Sequence, residues 1–311
     1  MSPQRLHWGL HLPNYGEAWG APGVGDMAVL VEQAGFDSVW LSDHVVLVED
    51  VASRYPFSAD GSFFLPADQD WLEWTTVAGY LAARTSRVEI GVGVCVLPLR
   101  HPLLLAKQVA TLDRLSGGRI VLGAGAGWMA EEFAALGLDF GARGAAMDGG
   151  LALLRAAWEG APAAGQYGPY DLPPGVHCRP TPVRSPVPLY FGGESRAAFR
   201  RLARHGQGWY GTSVGGGMPL PRLAETTERI AQACRDTGRD PAEVEIALRL
   251  SAPSRQLGAP GLRDELLAYA QAGVTRFSFD LAWPGPEVMR DRLAALRQTT
   301  HDVQAQLAPT A

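Results

Sequence analysis

Lysine is almost missing from this chain. Lys107 is the only one in 311 residues, and 27 basic side chains face 32 acidic ones for a formal net charge of -5. No run of Lys or Arg occurs, so there is no positive field to gather a polyanion, and nucleic acid is not an expected partner. Cysteine is scarce too: Cys95, Cys178 and Cys234 are far apart, odd in number and form no C-x-x-C pair, which argues against a disulfide framework and a thiolate metal site. The seven histidines are scattered and form no H-E-x-x-H zinc signature, so no metal is expected. No apolar run approaches the roughly 20 residues of a membrane span, and the N-terminus has no basic stretch ahead of an apolar core. The expectation is a cytoplasmic protein that leaves membranes alone and acts on a small molecule.

What is present is core-forming material, 47% hydrophobic, with glycine and proline placed between apolar runs. Short β-rich runs at 6–12, 37–41, 88–97, 119–123, 187–191, 208–211, 244–250 and 275–280 alternate with helix-periodic stretches. These fall at 25–34, 71–85, 102–115, 145–158, 195–204, 220–236, 262–272 and 286–305. Eight strands, each followed by a helix and with no linker between halves, predict an α/β fold: a single (β/α)8 TIM barrel with insertions, one domain over residues 1–311. The stretch 102–115 shows the local logic, with Pro102 in a first turn where no hydrogen bond is lost and Gly117-Gly118 as the stop. Two excursions, 42–70 and the proline-rich 160–186, exceed ordinary loops. The first leaves a strand's C-terminal end and belongs to the mouth where barrel enzymes build their sites, whereas the second leaves a helix and reads as a peripheral wrap.

Four stretches carry candidate chemistry. Asp43 and His44 follow the second strand, where barrel enzymes keep catalytic groups; a turn cap and an ordinary loop histidine are the alternative. The third strand is apolar on both faces, as a strand buried on both sides must be, and Gly91, Gly93 and Cys95 either leave room for a flat ring or fit a tight barrel core. After the fourth strand, Gly123, Gly125 and Gly127 form G-x-G-x-G, which lacks the spacing and the position of a dinucleotide fingerprint; a backbone closely approached by a planar ligand, with Trp128 as a wall, accounts for it better. Finally Phe191-Gly192-Gly193-Glu194-Ser195 joins a strand to a helix start, and its amides make an anion site unless Ser195 is simply the N-cap.

In this order, the stretches resemble the bacterial luciferase-like family of flavin-dependent oxidoreductases, and more closely its branch that uses the deazaflavin coenzyme F420. D-S-V-W-L-S-D-H, V-L-P-L-R-H-P, G-A-G-A-G-W with Glu131-Glu132-Phe133, Gly141-Ala142-Arg143-Gly144 and Phe191-Gly192-Gly193 carry the likeness, which spans about residues 6–211. The resemblance implies a tricyclic ring in the barrel mouth, backed by a non-proline cis peptide among Gly93, Val94 and Cys95, and a phosphate held at Gly192, Gly193 and Ser195 with Arg143 nearby. Gly125 and Gly127 belong to the same cofactor set. It implies a proton-transfer role for His44, with Asp43 holding its tautomer. Trp128 stands where sugar-phosphate dehydrogenases of this family carry an acid, which argues against glucose 6-phosphate, and Ala126 stands where true luciferases carry an arginine.

The expected activity is hydride transfer between reduced F420 and a small organic substrate, reducing C=C or C=N or running in reverse. A reduced-FMN monooxygenase is the alternative, and a non-catalytic cofactor-binding barrel the second. Asn14, Tyr15, Trp19, Trp128, Trp209 and Arg249 lie at expected strand ends and are candidates for a substrate pocket, ordinary packing being the other reading. Homodimers are common among proteins of this kind.

Overall fold

The computed structural model describes residues 5–17, 23–58, 60–213, 217–251 and 260–307, so Trp19 lies outside the described residues. Strands β1 (His7–His11), β2 (Ser38–Leu41), β3 (Glu89–Val96) and β4 (Ile120–Gly125) are followed by an antiparallel hairpin of β5 (Gly165–Tyr167) and β6 (Tyr170–Leu172), then by β7 (Leu189–Phe191), β8 (Gly208–Ser213), β9 (Glu245–Ser251) and β10 (Val274–Asp280). All but the hairpin pair in parallel and close into an eight-stranded barrel in the order β1-β10-β9-β8-β7-β4-β3-β2. Around it lie α1 (Val24–Gln33), α2 (Trp74–Arg84), α3 (Pro102–Ser116), α4 (Ala130–Ala135), α5 (Arg143–Trp158), α6 (Arg196–His205), α7 (Leu220–Asp236), α8 (Pro260–Gln271) and α9 (Pro286–Gln306).

The eight expected strands and eight expected helices are all found within a few residues of their predicted bounds. One helix and one hairpin were not foreseen. Helix α4 has only six residues, too few to show a 3.6-residue period, and the three-residue strands of the hairpin are too short to show alternation. The 160–186 segment lies against the outer helices, where Lys107 donates to the Arg179 carbonyl and Arg114 Nε to the Thr181 carbonyl at 2.7 Å. Helix ends follow local chemistry. Glu73 caps α2 through the amides of Thr75 and Thr76, and α3 starts at Pro102 and stops at Gly117, whose φ of 70° is left-handed.

Alternation along each strand sends one set of side chains into the barrel and the other toward the helices. In the interior, Trp40 and Tyr210 lie with ring centroids 4.6 Å apart. A Cβ on Gly91 would come within 2.4 Å of the Trp40 ring, and one on Gly93 within 2.6 Å of Tyr210. These glycines therefore make room for core aromatics, so the tight-core reading of Gly91 and Gly93 is the one that holds.

The N-terminal end of the barrel is plugged by charge. Glu89 accepts from Arg276 at 2.7 Å and Arg184 at 3.2 Å, and it lies 3.2 Å from His7. Burial by itself would raise the Glu89 carboxyl, but the bonds and charges of His7 and Arg276 outweigh it and hold the group well below the usual range. Because the folded carboxyl is the more acidic one, its stabilisation is complete above the ordinary glutamate pKa and is lost as pH falls toward the depressed value. Urea unfolding at a series of pH values should show wild-type stability falling between about pH 5 and pH 2, with the Glu89→Gln variant less stable at neutrality and flatter over that interval. Parallel curves for the two proteins would refute this.

Candidate active site

Past the end of β2, Asp43 and His44 turn to different partners. The buried Asp43 carboxylate receives Arg100 Nη2 at 2.6 Å on Oδ1, and on Oδ2 it receives Arg100 Nη1 at 2.7 Å and the Val96 amide at 2.9 Å. Burial pushes the Asp43 carboxyl up, and the guanidinium and the amide oppose that shift; in return Asp43 helps to hold Arg100 charged. Asp43 thus clamps the end of β2 to the end of β3. The expectation that it holds the tautomer of His44 is corrected: its described bonds run to Arg100, Val96 and the Cys95 thiol, and none reaches His44.

Glu132 takes that place. Its Oε2 lies 2.9 Å from His44 Nδ1, while Oε1 accepts the Val45 amide at 2.6 Å. With a carboxylate acceptor there, the Nδ1 hydrogen is engaged, and Nε2 is left with no bonded partner among the described residues. Glu132 stands in the first turn of α4, just after the G-x-G-x-G run, and its neighbour Glu131 accepts the amides of Ala52 and Ser53. Two adjacent glutamates therefore stitch the 42–70 excursion across the mouth.

That excursion brings an aromatic wall to His44. Trp71 and Trp128 stand edge-on to the imidazole at 4.7 and 6.1 Å and Phe63 lies tilted to it at 5.3 Å, while Tyr55 packs on Phe63 and Trp128 at 5.2 and 5.1 Å. Tyr15 stacks on Trp71 at 4.7 Å. The buried indole N–H of Trp71 has no hydrogen-bond partner among the described residues.

Toward the end of β3 the backbone is irregular and its neighbours are glycines. The Gly93–Val94 peptide is cis, and the pairing of β3 with β4 shifts register between Val92 and Cys95. Val94 is seated among glycines of two neighbouring strands: a Cβ on Gly125 would approach it to 2.7 Å, on Gly192 to 3.0 Å and on Gly123 to 3.1 Å. Gly127, with φ of 87°, leaves room for Phe133 and Val96. On the side where a Cβ would stand, Gly125 accommodates Val94, and Gly127 accommodates Phe133 and Val96.

At the β7–α6 corner, Gly193 adopts φ of 85° and a Cβ there would meet only Ala198, at 4.0 Å. This is open space beside backbone, as a phosphate needs. Ser195 is the N-cap of α6, its Oγ accepting from the Ala198 amide at 3.1 Å, and the Trp209 indole donates to the Gly193 carbonyl at 3.0 Å. Trp209 is buried in the layer between barrel and helices, so it orients this corner and does not line a substrate pocket. Arg143 lies at the start of α5, stacked 3.8 Å over Phe140 and donating to its carbonyl. Asn14 is also corrected: it is wholly buried, with its amide bonded to Ser42 and to the Leu72 carbonyl. The Cys95 side chain is likewise buried in the outer core, and burial pushes its thiol up.

The far side of the mouth is polar. Arg249 Nε lies 3.0 Å from both carboxylate oxygens of Asp280, and His11 lies between Asp280 (3.6 Å) and Ser42 (3.2 Å). Burial, reinforced by the charge of Arg249, lowers the His11 pKa well below its ordinary value, so the ring is neutral. A bare floor around Val94, an open glycine corner and an aromatic wall fit a planar ring with a phosphate tail. No group of His, Cys, Asp or Glu among the described residues is arranged for a metal.

Residues 13–256 match the family model described as luciferase-like monooxygenase. The chain belongs to the luciferase-like monooxygenase family. An uncharacterised protein of Mycobacterium tuberculosis is 31% identical over 224 residues, 71% of this chain and 74% of that one. The F420-dependent glucose-6-phosphate dehydrogenase of Kineococcus radiotolerans is 34% identical over 239 residues, 73% of this chain but 64% of the longer relative. Among solved structures, an F420-dependent secondary alcohol dehydrogenase in complex with an F420–acetone adduct superposes with a TM-score of 0.74 over 96% of this chain and 99% of its own, at 17% identity. Riboflavin lyase with modified FMN does so at 0.72 over 99% and 93%, at 19% identity. At such identities the two structures establish a shared fold. In this luciferase-like barrel, sequence reasoning missed Glu132, Arg100, His11, Asp280 and the aromatics of the excursion as site residues. Glu132 was noted there only as part of the stretch after the glycine run that carries the family likeness, with no role given to it.

Proposed function

We propose that this luciferase-like oxidoreductase binds F420 over Val94 and exchanges a hydride with a small organic substrate, reducing C=C or C=N or catalysing the reverse. The observation that carries the reading is the His44–Glu132 pair: an imidazole fixed through Nδ1, with Nε2 unclaimed, set in an aromatic wall above a bare floor. Bound F420 would supply a hydride at ring carbon 5. The chain's own part is to seat the ring against Val94, to hold the phosphate at the Gly193 corner, to exclude water with Tyr55, Phe63, Trp71 and Trp128, and to move one proton at His44 Nε2. Glu132 keeps the imidazole oriented and stabilises its cation when the proton is carried. Similarity to F420-dependent dehydrogenases supports F420 over FMN.

Titrating the purified protein with F420 and, separately, with FMN tests this. The expected result is saturable F420 binding with no FMN binding; FMN binding accompanied by oxygen uptake would replace the proposal with a monooxygenase, and binding of neither would leave a barrel without redox function.

A further inference from the structure

Arg249 has more donors than its protein partners use. A guanidinium carries five N–H groups; here the ion pair with Asp280 is made by Nε alone, at 3.0 Å to each oxygen, and the side chain keeps 14% exposure at the mouth. The terminal nitrogens make no further charged bond among the described residues. Besides Asp280, the guanidinium has hydroxyls for neighbours: Tyr15 shares a hydrogen bond with it, and Tyr55 and Tyr210 feel its charge, which leaves further N–H groups for a ligand. Burial pushes all three phenols up, Tyr55 to about 12, so they are neutral.

Charge decides what these donors can receive. Asp280 cancels Arg249 and His11 beside them is neutral, so this cluster carries no net positive charge. A phosphate dianion would lose its water there without an unpaired positive charge to replace it, whereas a neutral oxygen needs only hydrogen-bond donors. Next to the donors, Tyr15 stacked on Trp71 and the edge contact of Trp71 with His44 form flat walls that lead from Arg249 toward the proton-transfer group.

We propose that the substrate is a neutral, conjugated carbonyl compound whose oxygen accepts from Arg249 while its flat body lies between the aromatic wall and the floor at Val94. This rests on the oxidoreductase reading above. Reduced 5-deazaflavin, when bound, would supply a hydride to the β-carbon of the substrate, the C=C pair shifting toward the carbonyl oxygen to give an enolate whose α-carbon then takes a proton. The N–H groups of Arg249 stabilise the negative charge growing on that oxygen, and one proton from His44 completes the saturated product. The assignment separates this chain from its sugar-phosphate relatives, in agreement with Trp128 standing in place of an acid.

Three probes test it: benzylideneacetone as the neutral enone, cinnamate as an anion of similar shape, and glucose 6-phosphate. Binding is read by tryptophan fluorescence quenching on protein saturated with whichever oxidised coenzyme it takes, so that failure of F420 binding and failure of enone binding are scored separately. The enone should bind at least about 10-fold more tightly than cinnamate, and glucose 6-phosphate should not bind. The neutral pair Arg249→Gln with Asp280→Asn should raise KM for the enone and lower kcat by about 100-fold, with coenzyme affinity within about 2-fold of wild type. Equal or tighter binding of cinnamate or of glucose 6-phosphate, or unchanged enone kinetics in the paired variant, would overturn the proposal. Should the paired variant misfold, the selectivity series on wild-type protein still decides between these outcomes.

Discussion

Replacing His44 by alanine should lower turnover by about 100- to 10,000-fold, the range expected when a positioned proton-transfer group is removed, while F420 affinity changes only a few-fold. The separation follows from the geometry. The floor at Val94 and the corner at Gly193 do not touch His44, whereas its imidazole is fixed by Glu132 within the aromatic wall. Folding should survive, because Glu132 keeps the Val45 amide on Oε1 after its partner is gone. Glu132→Gln should lower kcat with a smaller effect on KM, since an amide can align the ring but cannot balance the charge of an imidazolium. Steady-state kinetics beside coenzyme titration check both variants. Unchanged turnover in His44→Ala would remove the imidazole from the reaction.

A second large effect is expected in stability. Arg100→Met leaves the Asp43 carboxylate buried without a counter-charge, and breaking one side of a buried ion pair costs about 3–5 kcal/mol. For a chain of this size the melting temperature should fall on the order of 10 °C. The variant should also respond to pH with a definite sign. Burial already pushes Asp43 up, and without the guanidinium its strongest opposing influence is gone, so the folded protein binds a proton that the unfolded chain has released. Stability of Arg100→Met should therefore rise as pH is lowered from neutrality toward the ordinary carboxylate range. Adding Asp43→Leu should recover much of the loss, because removing both charges spares their desolvation. Thermal melts at several pH values measure all of this, and a wild-type melting temperature in Arg100→Met would show that the clamp contributes nothing.

The fold was legible because its signals are local. Proline at the first turn of α3, glycine at its end, apolar runs for buried strands and helical periods between them are each set by residues a few positions apart. Helix α4 and the β5–β6 hairpin escaped because they are too short to show a period. At the site, Asp43 and His44 were visible by their place after a strand, and the glycine corner by its turn chemistry. Their partners were not visible. Arg100 is 57 positions from Asp43 and Glu132 is 88 from His44, and nothing in the intervening chain states those pairings. Trp209 shows the same limit, since one step of strand register separates lining the barrel mouth from facing the helices.

By itself, then, the amino-acid order determined the count and succession of βα units, where helices start and stop, and which strand ends carry reactive groups, since all of these depend on neighbours along the chain. Closing the barrel decided the rest. Only when β1 meets β10 and the 42–70 excursion folds over the mouth does Asp43 meet Arg100, His44 meet Glu132, and Val94 find its glycine seat. Those contacts are set by how eight strands pack around one interior, which no local stretch of sequence encodes.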